Sequence, residues 1–155
     1  MTLALETTGL DKHFGGLHVT CELSLRIPRG ARHALIGPNG AGKTTVINLL
    51  TGVLTPDAGR ILLDGQDITA LPVHRRVRAG LARTFQINQL YPELTPLETI
   101  GLAVAERHGH GADWWRRRGT RPLVNDEIAR LLADFRLTDV CNERTVTLPY
   151  GRQRL

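Results

Sequence analysis

The chain has 155 residues, 41% hydrophobic and 23% charged, with a formal net charge of +5; this suits a soluble folded domain with a real core and excludes a disordered or fibrous chain. No apolar run approaches the roughly 20 residues of a membrane-spanning helix, and Met1-Thr2-Leu3-Ala4-Leu5-Glu6 lacks the basic start and apolar stretch of a secretory leader, so a cytosolic protein is expected.

Leu3 to Thr8 and Glu22 to Ile27 alternate apolar and polar residues, the period of half-buried strands in an antiparallel region. Pro28-Arg29-Gly30 turns the chain into Ala31 to Ile36, a further strand. Directly behind it, Gly37-Pro38-Asn39-Gly40-Ala41-Gly42-Lys43-Thr44 fits the spacing G-x-x-x-x-G-K-[ST] at every fixed position. The spacing has a physical cause. A polyphosphate concentrates negative charge, and glycines let successive backbone N–H groups converge on it without intervening side chains. The helix expected from about Lys43 to Thr51 then turns its positive end toward the phosphates. In such a loop Lys43 reaches the β- and γ-phosphates, the Thr44 hydroxyl is placed to ligate the magnesium ion bridging them, and Thr45 adds a contact. The pattern points to nucleoside triphosphate binding but leaves open what the nucleotide drives.

Val46, Ile47 and Leu50 form the inward side of that helix, and Gly52 suits its C-terminal cap. Gly59 to Gly65 predicts a short strand with a turn, Pro72 to about Arg78 a small helix ended by Gly80, and Leu81 to Phe85 another strand. After Gln86 the character becomes helical. Thr95-Pro96-Leu97-Glu98 combines an N-cap threonine, a first-turn proline and a glutamate three after the cap, which predicts a helix to about Arg107. Asn125 is a candidate cap for a second helix, with Ile128, Leu131, Leu132 and Phe135 as its inward stripe. His108 to Pro122, with Trp114-Trp115 beside Arg116-Arg117-Arg118, reads as an irregular insertion that packs its indoles locally or rests against a membrane partner or lipid headgroups.

Cys21 and Cys141 lie far apart without metal-ligand spacing and read as reduced, partly buried and non-catalytic. His13, His18, His33, His74, His108 and His110 likewise show no metal-ligand spacing. Arginines cluster at Arg75-Arg76-Val77-Arg78, at residues 116–118 and at Arg152 and Arg154. With aromatics at only 5%, these clusters suit a solvated face, or a surface near anionic lipid, better than a nucleic-acid surface.

Three further segments give the phosphate loop a family context, and together they resemble an ABC transporter ATPase. In Lys12-His13-Phe14-Gly15-Gly16 the match is Phe14, at the place where the family stacks an aromatic residue on adenine. In Gly80-Leu81-Ala82-Arg83-Thr84-Phe85-Gln86 it is Gln86, the start of the glutamine loop, whose neutral amide can coordinate magnesium or position water and swing away as the nucleotide state changes. The third, Leu148-Pro149-Tyr150-Gly151-Arg152, is similar to the signature segment that closes over ATP on the opposite subunit. Gly151 matches most firmly. Pro149, Tyr150 and Arg152 replace the common serine, glycine and glutamine, so the serine hydroxyl is lost and Arg152 is left as a source of positive charge. In their wording these segments resemble the ATPases of branched-chain amino acid importers.

The resemblance covers essentially the whole chain. It implies an α/β P-loop NTPase (RecA-like) core with an antiparallel β subdomain over residues 1–88, incomplete at its C-terminal side, and an α-helical subdomain over 89–155 ending in the signature. It also implies ATP and Mg2+, a second ATPase subunit arranged head to tail, membrane permease subunits, a periplasmic solute-binding protein acting through them, and a place on the inner face of the cell membrane. The family's later apolar strand ending in aspartate and glutamate, and its switch histidine, do not follow the signature within these residues. An ATP-binding piece without appreciable hydrolysis is therefore expected, the alternative being a non-catalytic nucleotide-binding or adaptor fragment.

Overall fold

The computed structural model describes residues 2–85, 90–109 and 122–153, the side chains of Pro122 and Leu123 excepted. It divides into two compact units, Met1–Thr84 and Phe85–Leu155.

The first unit is built on a four-stranded antiparallel sheet in the order β2-β1-β3-β4, with β1 Leu3–Phe14, β2 Leu17–Pro28, β3 Ala58–Leu63 and β4 Gln66–Asp67. The two expected strands at 3–8 and 22–27 are parts of one long hairpin, since Gly15-Gly16 lets β1 return directly as β2, with Phe14 opposite Leu17 and His13 opposite His18. Irregularities shift the register between Thr7 and His13, and the Thr7 hydroxyl repairs one of them by donating to Leu23 O and accepting from Leu25 N. At the edge of β3, Gly59 is irreplaceable: at φ 90 a Cβ would lie 2.3 Å from Gly9 O.

Helix α1 (Lys43–Thr51) lays Val46, Leu49 and Leu50 on the sheet residues Leu5, Leu10 and Ile61, with Ile68 completing the core. Gly52 caps it in the left-handed conformation, as its sequence position suggests. Helix α2 (Val73–Arg78) alters the reading of the arginine cluster. Arg76 is 2% exposed, and its guanidinium donates to Leu71 O, Leu49 O, Leu50 O and Thr69 O at 2.7–2.8 Å. It is an internal strut, not part of a solvated or lipid-facing surface: it takes up the Leu50 carbonyl at the end of α1 and shares the Leu49 carbonyl with Gly52 N.

Two expected strands are not formed. Residues 31–36 and 81–85 carry no regular structure, and among the described residues no strand pairs with either. A strand exists through its ladder partner, and without one here the apolar run stays open: Leu35 is 47% and Ile36 88% exposed.

In the second unit, α3 (Pro96–Arg107) begins with the full reciprocal box, Thr95 Oγ1 accepting from Glu98 N and Glu98 Oε2 from Thr95 N. Helix α4 (Pro122–Asp134) starts three residues before the suggested cap Asn125, because Pro122 is itself pre-set for a first turn. Leu132 is buried, Ile128 and Leu131 are half-buried, and Phe135 is 44% exposed beyond the helix end, so the stripe is inward for three of its four residues. Gly101 on α3 faces Ile128 of α4, where an added Cβ would make an ordinary contact 3.7 Å from Ile128 Cδ1. Short 3-10 turns at Thr138–Val140 and Thr145–Thr147 lead into α5 (Tyr150–Gln153). Among the described residues no helix is long and apolar enough to cross a membrane.

Candidate functional site

The segment from Gly37 to Ala41 is exposed throughout and runs straight into α1. Its shape comes from glycines at two positions. Gly40 has φ 83 and Gly42 φ 80, and at Gly42 an added Cβ would come within 3.0 Å of Val19 O on β2, so the loop is seated against the hairpin through a residue that must lack a side chain. Gly42 is also the N-cap of α1 and brings no capping side chain. The first amides of α1 therefore have neither an intrahelical acceptor nor a side-chain cap, which is the arrangement an anion completes.

Lys43 turns back over the loop, and its Nζ donates to Gly37 O and Pro38 O, both at 2.7 Å. Ala41 N donates to Pro38 O at 3.3 Å and closes the turn beneath it. Thr44 is exposed and Thr45 half-buried at the head of the helix. The donor set of backbone amides, one ammonium and one hydroxyl fits a magnesium-bound polyphosphate. A further tie was not legible in sequence: Arg83 Nη1 donates to Asn48 Oδ1 at 2.6 Å, joining the stretch before Gln86 to α1.

Phe14 closes the tip of the β1–β2 hairpin, 47% exposed, with Lys12 Nζ 5.8 Å from its ring centroid. The ring is about half exposed rather than plugged into the β region. Gln86 lies outside the described residues, as do Trp114, Trp115 and Arg154.

In the second unit, Leu148 is buried and Pro149, Tyr150 and Gly151 are exposed. Arg152 grips Asp139 with two N–H groups at 2.9 and 3.0 Å and donates to Arg136 O at 2.8 Å. The hydrogen bond from Arg152 holds the Asp139 carboxyl below its ordinary 3.8. The positive charge of Arg152 is accordingly matched within its own unit. Gln153 Nε2 fixes the same segment by donating to Leu148 O and Thr145 O, and Thr145 ties it to Leu94 O.

A profile of the family described as ABC transporter matches residues 21–155. The chain belongs to the ABC transporter family. It is 40% identical over 157 aligned positions to the high-affinity branched-chain amino acid transport ATP-binding protein BraF of Pseudomonas aeruginosa, covering 97% of this chain and 61% of the relative. It is 40% identical to the probable branched-chain amino acid transport ATP-binding protein LivG of Archaeoglobus fulgidus over 97% of this chain and 60% of that one, and 36% identical to LivG of Escherichia coli over 97% and 61%. The chain spans about three-fifths of the length of these relatives. Among solved structures it resembles the ADP conformation of MJ1267, an ATP-binding cassette of an ABC transporter, with a TM-score of 0.74 at 27% identity over 99% of this chain and 61% of that one. The nucleotide-free cassette of an ABC transporter matches with a TM-score of 0.72 at 26% identity, over 99% and 62%. The ABC cassette fold expected from the sequence is thereby shown, with its antiparallel β region seen directly in the sheet.

Proposed function

We propose that this chain is the ATP-binding part of a subunit that energises an importer of branched-chain amino acids or related small solutes. The observation that carries the reading is the exposed loop at 37–42, glycine-shaped and uncapped, with Lys43 resting on its carbonyls. The likeness to BraF and LivG supports the choice of cargo.

In this reading the triphosphate of ATP lies against the amides of Gly37, Pro38-Asn39-Gly40-Ala41 and Gly42, proline lending position but no N–H. Lys43 exchanges the Gly37 and Pro38 carbonyls for the β- and γ-phosphate oxygens. The Thr44 hydroxyl and the Gln86 amide are the chain's ligands for the magnesium that accompanies ATP and screens its phosphate charge. Thr45 adds a phosphate contact. The exposed face of Phe14 stacks on adenine, a contact that is tolerant of base identity. Leu148, Pro149, Tyr150, Gly151 and Arg152 form the segment that meets nucleotide held by a second subunit in a head-to-tail dimer, while permease subunits carry the solute delivered by a periplasmic binding protein. That arrangement puts the protein at the inner face of the membrane.

Hydrolysis in the full assembly is in-line attack of water on the γ-phosphate between two subunits. A group that orients or deprotonates that water contributes orders of magnitude in rate. Mg-ATP binding by the purified chain, measured against Lys43→Ala, tests the reading: saturable binding that is lost or weakened by at least about tenfold in the variant is expected, and undiminished binding by the folded variant would overturn it.

A further inference from the structure

On the β1–β2 hairpin, against which the phosphate loop packs at Val19, a group of side chains gathers that the ATP-binding reading does not use. Asp11, His13 and His18 each offer one ligand atom, and these atoms all lie within 4.8 Å of one another. The gathering follows from the hairpin. Its register sets His13 across from His18, whose rings stack at 3.9 Å with 11° between their planes, and the irregularity around Asp11 swings its carboxylate onto the His18 Nε2 edge. Spacing along the chain concealed the cluster, since the three residues adjoin only because the strand folds back at Gly15-Gly16.

We infer that Asp11, His13 and His18 form a binding site for a divalent d-block metal ion of the zinc class at the tip of the hairpin. Two imidazole nitrogens and one carboxylate oxygen make a donor set that suits zinc, cobalt, nickel or copper, whereas magnesium and calcium favour oxygen throughout. The surroundings hold the donors in the way outer partners of metal ligands do. Glu22 N donates to Asp11 Oδ2 at 3.2 Å, leaving Oδ1 directed at His18. The far nitrogen of His18, Nδ1, lies 3.0 Å from Cys21 Sγ, and His13 Nδ1 is 3.5 Å from Asp57 Oδ2, so each ring has a second partner to fix its orientation. Asp57 is held in turn by Lys12 Nζ and His13 N, both at 2.6 Å. His13 and His18 are exposed, so an ion enters from solvent and keeps water in its remaining position. Inserting it replaces the direct Asp11–His18 hydrogen bond and tilts the stacked His13 and His18 rings apart, so that their in-plane nitrogen lone pairs converge on the ion. Since Phe14 directly follows His13, a bound ion also stiffens the hairpin end that presents the aromatic ring.

The test is titration of the untagged chain with Co2+, read by visible d–d absorption, followed by displacement with Zn2+. One ion per chain is expected, with loss of the absorption as zinc replaces cobalt. Loss of an outer partner alone weakens metal sites by about 10–100-fold, so His13→Gln or His18→Gln should weaken binding by at least about a hundredfold. His33→Gln and His74→Gln should leave it unchanged. Circular dichroism checks that the variants fold, and Asp11→Asn repeats the test should His18→Gln not fold. Absence of d–d bands in the folded wild-type chain, or bands that persist in the folded His13→Gln variant, would overturn the inference. Neither outcome depends on ATP binding, so the phosphate-loop reading stands or falls separately.

Discussion

At its C-terminal end α1 is closed. The carbonyls of Leu49 and Leu50 each take an N–H from the buried Arg76, and Gly52 passes so close to that guanidinium that a Cβ would lie 2.8 Å from Nε. At its N-terminal end the same helix is open, with a cap residue that has no side chain to give, an exposed loop and a lysine that settles for the loop's own carbonyls. Both ends leave backbone groups without helical partners, and the difference lies in who supplies the partner. One end is satisfied from within the fold and anchors the helix to the sheet. The other end stays open, and it is the end that the proposed function gives to the phosphates of a nucleotide.

The contrast can be broken most severely at Arg76. Arg76→Met removes a buried guanidinium's hydrogen bonds to four carbonyls, of which Leu49 O keeps Gly52 N, and should cost about 4 kcal/mol, read from denaturant unfolding. Arg76→Lys should recover only part, because an ammonium lacks the planar fork that spans them. A sharper comparison uses two glycines with nearly the same backbone. Gly52 has φ 81 and Gly40 φ 83, yet a Cβ at Gly40 meets nothing within 4 Å. Gly52→Ala should destabilise by about 3 kcal/mol, conformational strain plus the collision with Arg76, whereas Gly40→Ala carries the strain alone, about 1 kcal/mol. Equal losses would mean that the closed end is not closed by Arg76.

The second unit supplies a control independent of α1. The hydrogen bond with His108, then the charge of Arg107, holds the Glu127 carboxyl below its ordinary 4.5. A depressed carboxylate stabilises fully above its unfolded value and loses that contribution as pH falls through its folded value. Unfolding of the second unit should therefore grow easier on acidification below about pH 4.5, and Glu127→Gln should flatten that slope while leaving the α1 variants' losses unchanged.

How far the sequence could be read follows the same division between local and remote partners. The phosphate loop, α1 with its Gly52 cap and the Thr95–Glu98 box were legible because each is specified by residues within a few positions of one another. The full hairpin was hidden by bulges that break the alternation between Thr7 and His13, although Gly15-Gly16 was a turn signal in plain view. Arg76 read as one more surface arginine, since nothing beside it in sequence announces carbonyls 26 and 27 residues away. Cys21, expected partly buried, is exposed and lies against His18, which only the hairpin explains. The strands read at 31–36 and 81–85 depend on neighbours that no local pattern can supply. In the site itself, the glycine spacing announced a loop ahead of Lys43, but the two carbonyls that Lys43 reaches required coordinates.

The smallest expected effect on folding comes with the largest on binding. Lys43 makes only exposed hydrogen bonds to its own loop, so Lys43→Ala should change stability by less than about 0.5 kcal/mol. Calorimetric titration of the folded chain with Mg-ATP, wild type beside Lys43→Ala, tests the central claim most directly. The open end of α1 predicts saturable heat for the wild type and its loss, or weakening by at least about tenfold, in a variant that melts at the same temperature. Undiminished binding by the folded variant, or no binding by the folded wild type, would contradict the claim that this end of the helix is built for a nucleotide's phosphates.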